Sequence, residues 1–242
     1  MKERTLPRKP VVISESTQRR LGMYAVSATA AGVGILALAQ PAEAKIIYTP
    51  AHVKIGYFVT HEYNLDLNHD SVPDFALSVD SFADTSGSGS AWVAGGYQQG
   101  NSVVLRNGSY VAALRAGVRV GGARPPLKFG GGGVMANRDS VCSINGQCTT
   151  TFKGPWANGG KGVKNRYLGL KFQIKGKTHY GWARLNLGRD VFGRLSGLLT
   201  GYAYETIPNK PIVAGKIKGP DVIILPADIK AGTLGHLALG RR

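Results

Sequence analysis

Residues 167–187 read YLGLKFQIKGKTHYGWARLNL. In the first half Leu168, Leu170, Phe172 and Ile174 alternate with Gly169, Lys171 and Gln173. In the second half Ala183, Leu185 and Leu187 share one face, and Tyr180, Trp182 and Arg184 share the other. Alternation with period two marks a half-buried strand, because successive side chains point to opposite faces of a sheet. Lys175-Gly176-Lys177 supplies the turn between the two runs. A third run over 195–206 aligns Tyr202 with Tyr204 and stops at Pro208-Asn209-Lys210-Pro211. Three consecutive strands joined by short turns predict an antiparallel meander.

The same signal continues on the N-terminal side. Residues 45–50 and 53–59 form short apolar runs, and Phe75, Leu77 and Val79 line one face of a further strand. Strand candidates at 102–105 and 110–120 flank Asn107-Gly108, a strong hairpin signal. The clusters SGSGS (86–90), 130–133 and NGGKG (158–162) read as loops, since glycine loses the most backbone entropy on ordering. Roughly nine to twelve short strands without a clear helix predict an all-β fold: an antiparallel β-sandwich or jelly roll with glycine-rich loops. Antiparallel strands in that number must stack or close to bury a face. No period of about 20–50 residues recurs, which disfavours a propeller or solenoid.

The 242 residues are 43% apolar and 18% charged, too apolar for a disordered polyelectrolyte and long enough for one proper core. Two cysteines exclude a disulfide-built miniprotein and an all-cysteine zinc site. Residues 1–44 read as a signal peptide. Lys2, Arg4, Arg8, Lys9, Arg19 and Arg20 precede an apolar stretch at 23–39, and Ala42 and Ala44 follow as a cleavage site. An N-terminal membrane anchor is the other reading of the apolar stretch. Arg19-Arg20 is similar to a twin-arginine export signal, with Gly22 where that motif prefers an apolar residue. The remaining 45–242 reads as a single β-rich domain, with a loop-rich part at 85–163 and a loosely ordered tail at 221–242. The apolar runs of that tail are broken by Pro226, Asp228, Lys230 and His236, so no transmembrane segment is expected after signal removal.

The chain carries 30 Lys and Arg against 14 Asp and Glu. Six basic and three acidic residues precede Lys45, leaving 24 against 11 and a charge of +13. Such a charge attracts anionic polysaccharide or an envelope surface, although scattered lysines serve solubility equally well. A role on intracellular nucleic acid conflicts with export.

One loop concentrates the acids. In Asp66-Leu67-Asn68-His69-Asp70-Ser71-Val72-Pro73-Asp74, side-chain oxygens fall at loop positions 1, 3, 5 and 9. That spacing wraps a short loop round a hard cation, with the carbonyl of Val72 as a further donor. Calcium suits such an all-oxygen set better than magnesium, and a solvated turn rich in aspartate and asparagine is the bland alternative. Glu62 or Asp80 is a candidate further ligand. His69 falls at a position whose side chain points away from an ion. The stretch DLNHDSVPDFAL resembles the calcium loop of FG-GAP/VCBS-type extracellular repeats, in which D-x-N-x-D-G-x-x-D precedes a strand. That pattern has glycine where this chain has Ser71. The resemblance covers about twelve residues in a single copy, so a propeller does not carry over.

A second resemblance lies in HYGWARLNL (179–187) and GYAYETIPNKPIVAG (201–215), which look like the closing strands of uncharacterised secreted bacterial proteins of the PEP-CTERM-associated type. It implies an exported bacterial β-protein at the cell surface, in the periplasm or outside the cell, and no known activity. The tail here lacks the PEP tripeptide.

Cys142 and Cys148 enclose Ser-Ile-Asn-Gly-Gln, whose Asn145-Gly146 suits a tight turn, and in an exported protein they predict a disulfide. No GxSxG, HExxH or P-loop occurs, and no catalytic residue is assigned. Glu205 is the carboxylate to watch if the chain hydrolyses a glycan. Trp92 and Trp156 sit in glycine-rich stretches and are candidate sugar-stacking residues. The functional expectation is a secreted, calcium-stabilised β-sandwich, a surface or matrix component or glycan-binding module. The alternative is an extracellular polysaccharide-acting hydrolase.

Overall fold

The computed structural model describes residues 45–56, 59–81, 88–95, 100–106, 110–122 and 128–226. The expected signal peptide at 1–44, the Asn107-Gly108 turn and the chain beyond 226 lie outside these residues. The strands are β1 (Ile46–Gly56), β2 (Glu62–Leu65), β3 (Phe75–Ser81), β4 (Gly89–Gly95), β5 (Ser102–Arg106), β6 (Tyr110–Val111), β7 (Arg119–Val120) and β8 (Lys128–Gly130). They continue with β9 (Gly132–Cys142), β10 (Cys148–Lys153), β11 (Val163–Ile174), β12 (Lys177–Arg189), β13 (Leu195–Glu205), β14 (Ile212–Val213) and β15 (Val222–Ile224). Among the described residues the only helical element is one 3-10 turn at Asn158–Gly160. None of their helices is long and apolar enough to cross a membrane.

The expected meander is the centre of the sheet. β11 pairs antiparallel with β12, and β12 with β13, over most of their lengths. Lys175 (φ 50°) and Gly176 (φ 74°) are both left-handed, the backbone that a two-residue hairpin turn of matching twist requires. β1 continues the sheet beyond β13, and the full order is β15-β1-β13-β12-β11-β5-β6-β9-β4-β3-β2. β10 pairs with β9, β8 pairs with β5, and β7 with β14 makes a separate ribbon. The all-β class is as expected. The arrangement is one mixed sheet, because β1 with β15 and β6 with β9 run parallel.

This sheet curls until β3 packs against β1 and β13, so a single sheet supplies both walls of the core. Ile55, Phe75, Leu77, Val93, Leu168, Leu170, Leu185 and Leu199 meet inside. The outer face of β11–β13 is covered as well. Trp182 lies there between Tyr48 and the edge of Tyr167, under Val120 and Ile212 from the β7–β14 ribbon. The period-two pattern therefore sends Trp182 into one core and its neighbour Ala183 into the other, both with no exposed surface. Burying a large side chain contributes roughly 1.5–3 kcal/mol, so two cores on one hairpin make it the stable centre.

Three expectations need correction. Residues 110–120 are not one strand: β6 ends at Val111, and the chain then crosses the outer face, where Ala112, Leu114 and Val120 are buried. The tail is ordered further than expected. β15 adds to the open edge of β1, and the Leu225 N–H donates to the Tyr48 carbonyl. The glycines at 130–133 are not all loop, since Gly132 and Gly133 pair with Ala94 and Val93. A Cβ on Gly132 would lie 2.6 Å from the Val93 carbonyl oxygen, and one on Gly95 2.6 Å from that of Asn101. Glycine is present here because two backbones approach closely, which outweighs its entropic cost. Gly132→Ala is expected to destabilise by about 1–3 kcal/mol, whereas Gly131→Ala, with nothing within 4 Å, changes the melting temperature little. Thermal unfolding of the two variants checks this.

Candidate cation-binding loop

β2 and β3 pair through Leu65 and Phe75, and the Asp74 N–H donates to the Leu65 carbonyl, so residues 66–74 are the connection of a hairpin. The loop is wound around its own carboxylates. Asp66 Oδ1 accepts the N–H groups of His69 (2.7 Å) and Asp70 (3.3 Å), and its Oδ2 accepts that of Ser71 (2.8 Å). Asp70 Oδ1 accepts the Val72 N–H (2.9 Å), while Oδ2 accepts Asn68 Nδ2–H (2.8 Å). Asp74 turns inward and accepts the Leu67 N–H (2.8 Å). Ser71 has φ 73°, so the position where the resembled pattern places glycine does adopt the left-handed conformation. Holding serine there costs of order 1 kcal/mol.

Two side chains between the acids latch the loop to the opposite wall of the core. Leu67 is fully buried beside β12, in space left by Gly181. A Cβ on Gly181 would lie 3.0 Å from Leu67 Cδ2 and 2.8 Å from the Ala203 carbonyl oxygen. His69 reaches the opposite wall: its Nε2 is 2.9 Å from Thr49 Oγ1 on β1, and its ring packs on Tyr202 of β13 at 5.8 Å. Burial lowers the His69 pKa, partly opposed by Asp66. A third tie is Asn101, whose Nδ2–H donates to the Asp74 carbonyl while its Oδ1 accepts the Gln173 N–H of β11. None of these partners was assigned a role from the sequence. Asn101 stands alone in a loop, and Gly181, Thr49 and Tyr202 read as ordinary strand residues.

The electrostatics follow from this packing. Asp74 is 1% exposed, and burial above all pushes its carboxyl up to about 7. The fields of Asp66 and Asp70 add to the rise, and hydrogen bonds from Leu67 and Asn101 oppose it. The same negative field contributes to raising the Tyr204 hydroxyl, which is itself mainly raised by burial. Asn68 Oδ1 is shielded from solvent and has no hydrogen-bond partner. A buried acceptor left unmatched costs about 1–3 kcal/mol. Among the described residues no three Asp, Glu, His or Cys side chains converge as a metal cluster. The carboxylates are engaged by N–H groups: Asp66 Oδ1 accepts two, whereas Asp66 Oδ2, both Asp70 oxygens and Asp74 Oδ2 accept one each and retain a second lone pair.

The other candidates fall elsewhere. Val72 is exposed at the loop surface. Glu62 pairs with Ser78, about 10 Å along the strand from the loop, and Asp80 lies further still, so neither joins the acids. Asp80 instead accepts the Trp92 Nε1–H (3.1 Å), and Trp92 is half-buried. Trp156 cannot stack on a sugar: it has no exposed surface, and its Nε1–H donates to the Val111 carbonyl. The glycines around it are a tight 3-10 turn over the core. Cys142 and Cys148 form the expected disulfide, facing each other across the β9–β10 hairpin.

No protein-family model, curated protein or solved structure matches the chain.

The high Asp74 pKa has a definite consequence. The folded state holds this proton up to about pH 7, whereas the unfolded chain releases it near 3.8. Between these values the folded state binds more protons, so stability falls as pH rises from about 4 to 7, by at most about 4 kcal/mol. Asp74→Asn keeps an acceptor for Leu67 and removes this slope. Melting curves of both proteins in chelator, compared across that window, test it; parallel pH profiles contradict it.

Proposed function

We propose that the protein is an exported, calcium-stabilised β-domain that serves as a surface or matrix component or as a glycan-binding module. The observation that carries the calcium reading is Asn68 Oδ1, buried and unmatched at the third position of a loop whose first, fifth and ninth residues are carboxylates. A divalent cation supplies the missing partner and relieves the repulsion that helps keep Asp74 protonated. Asp66, Asn68, Asp70, Asp74 and the Val72 carbonyl are the donors this reading assigns. The disulfide is in keeping with an oxidising compartment outside the cytoplasm.

Binding is favoured over hydrolysis by the state of the carboxylates. Glu205 is 2% exposed, ion-paired with Lys210 at 3.1 Å, and accepts the Ile207 N–H. A glycosidase pair has to flank a cleft, with one partner free to protonate the leaving group. Glu205 is instead committed to holding the chain after β13.

Thermal unfolding with calcium and with chelator tests the reading. Calcium is expected to raise the melting temperature by several degrees at pH 8, and Asp70→Ala to abolish the shift. No shift, or an equal shift in Asp70→Ala, overturns it.

A further inference from the structure

The outer face of the sheet is covered over only part of its length. Trp182, Tyr48 and Ala203 lie under the crossing segment and the β7–β14 ribbon. Further along the same strands two rows of outward positions extend beyond that cover. One row is Lys54–Leu198–Asn186 and the next is Gly56–Ser196–Gly188, each crossing β1, β13 and β12 in register. Their inward neighbours Ile55, Leu199, Leu187 and Leu185 belong to the core, which fixes the outward direction of these residues. In the second row Gly56 is buried, and Ser196 and Gly188 leave the sheet surface bare over β13 and β12. The result is a cleft of about 420 Å³.

Its rim is basic throughout. Lys54, Lys161, Lys164 and Arg189 line it, no carboxylate does, and none of the four makes an ion pair among the described residues. Arg189 is held over the Phe152 ring at 5.4 Å, which orders one of the charges in advance. Four cations with no ion-pair partner among the described residues, around a floor of glycine backbone, make a site for an anion of some length. From Lys54 on β1 to Lys164 on β11 is three strand spacings, about 14 Å, or some three sugar units. Leu198 offers an apolar patch for sugar C–H groups, and Asn186 and Ser196 offer hydrogen bonds for hydroxyls. Among the described residues no aromatic ring lines the cleft, so they offer no stacking platform of the kind that single-stranded nucleic acid uses.

We infer that this cleft binds a segment of acidic polysaccharide, lying across β1, β13, β12 and β11 with its carboxylates on Lys54, Lys161, Lys164 and Arg189. The inference rests on the glycan-binding reading and assigns it a place and a ligand class. Polymer charge supplies affinity and salt screens it, while the bare Ser196–Gly188 surface supplies the fit.

The test is calorimetric binding of a galacturonate hexamer, a neutral glucose hexamer and a single-stranded oligonucleotide of equal charge to the full chain. The galacturonate is expected to bind best, and to weaken as salt is raised. Lys54→Gln with Lys164→Gln is expected to lower affinity at least tenfold. Gly188→Leu, placed where nothing lies within 4 Å, fills the cleft at unchanged charge and is expected to do the same. Lys175→Gln with Lys177→Gln removes equal charge from the distant β11–β12 turn and is expected to change affinity less than twofold. Equal losses in both lysine pairs, or full binding by Gly188→Leu, overturn the assignment to this cleft and leave glycan binding standing. Preference for the oligonucleotide overturns the ligand class. Binding of the neutral hexamer alone also removes the cleft while keeping the broader reading, and binding of no glycan removes both.

Discussion

The latch formed by Leu67 and His69 is the contact on which the architecture turns. Curling this thirteen-stranded sheet round its inner core requires one end of it, β2 and β3, to be held against β1 and β13. Leu67 fills the space beside Gly181, His69 reaches Thr49 and Tyr202, and Asn101 ties the end of the loop to β11. All of these contacts come from, or meet, nine residues carrying three carboxylates. The loop that closes the core therefore also gathers carboxylates whose fields raise the Asp74 pKa.

That coincidence explains why the acids are placed as they are. A carboxylate that accepts several N–H groups can organise a loop without any metal, as Asp66 does for residues 69–71. Such a loop has no need of a third acid buried at its exit. Asp74 is there nonetheless, in a loop that also holds an asparagine oxygen with no partner. The proposed cation gives both of them a role, and it strengthens the latch where like charges weaken it.

The strands of the central hairpin were legible because their alternation is strict: Leu168, Leu170 and Phe172 on one side, with Tyr167 and Gly169 on the other. The disulfide was legible because a short Cys-to-Cys spacing around Asn-Gly has few other uses. The glycine-rich middle was not. Glycine at 132 signals close backbone contact with β4, and nothing in the local sequence separates that from a flexible loop. Trp156 was misplaced for the same reason, its neighbours being glycines that make a turn over the core. The latch partners were hidden because they lie far from the loop in sequence and are unexceptional where they stand. The basic cleft was equally invisible: its lysines are scattered along the chain, and only strand register brings Lys54 and Asn186 into one row.

Equilibrium dialysis against calcium addresses the central claim most directly. The account predicts one ion bound per chain, at least tenfold weaker binding in Asn68→Ala, and loss of the site when Asp66 and Asp70 are both replaced by alanine. Absence of bound calcium at millimolar concentration, or undiminished binding in the double variant, would contradict it.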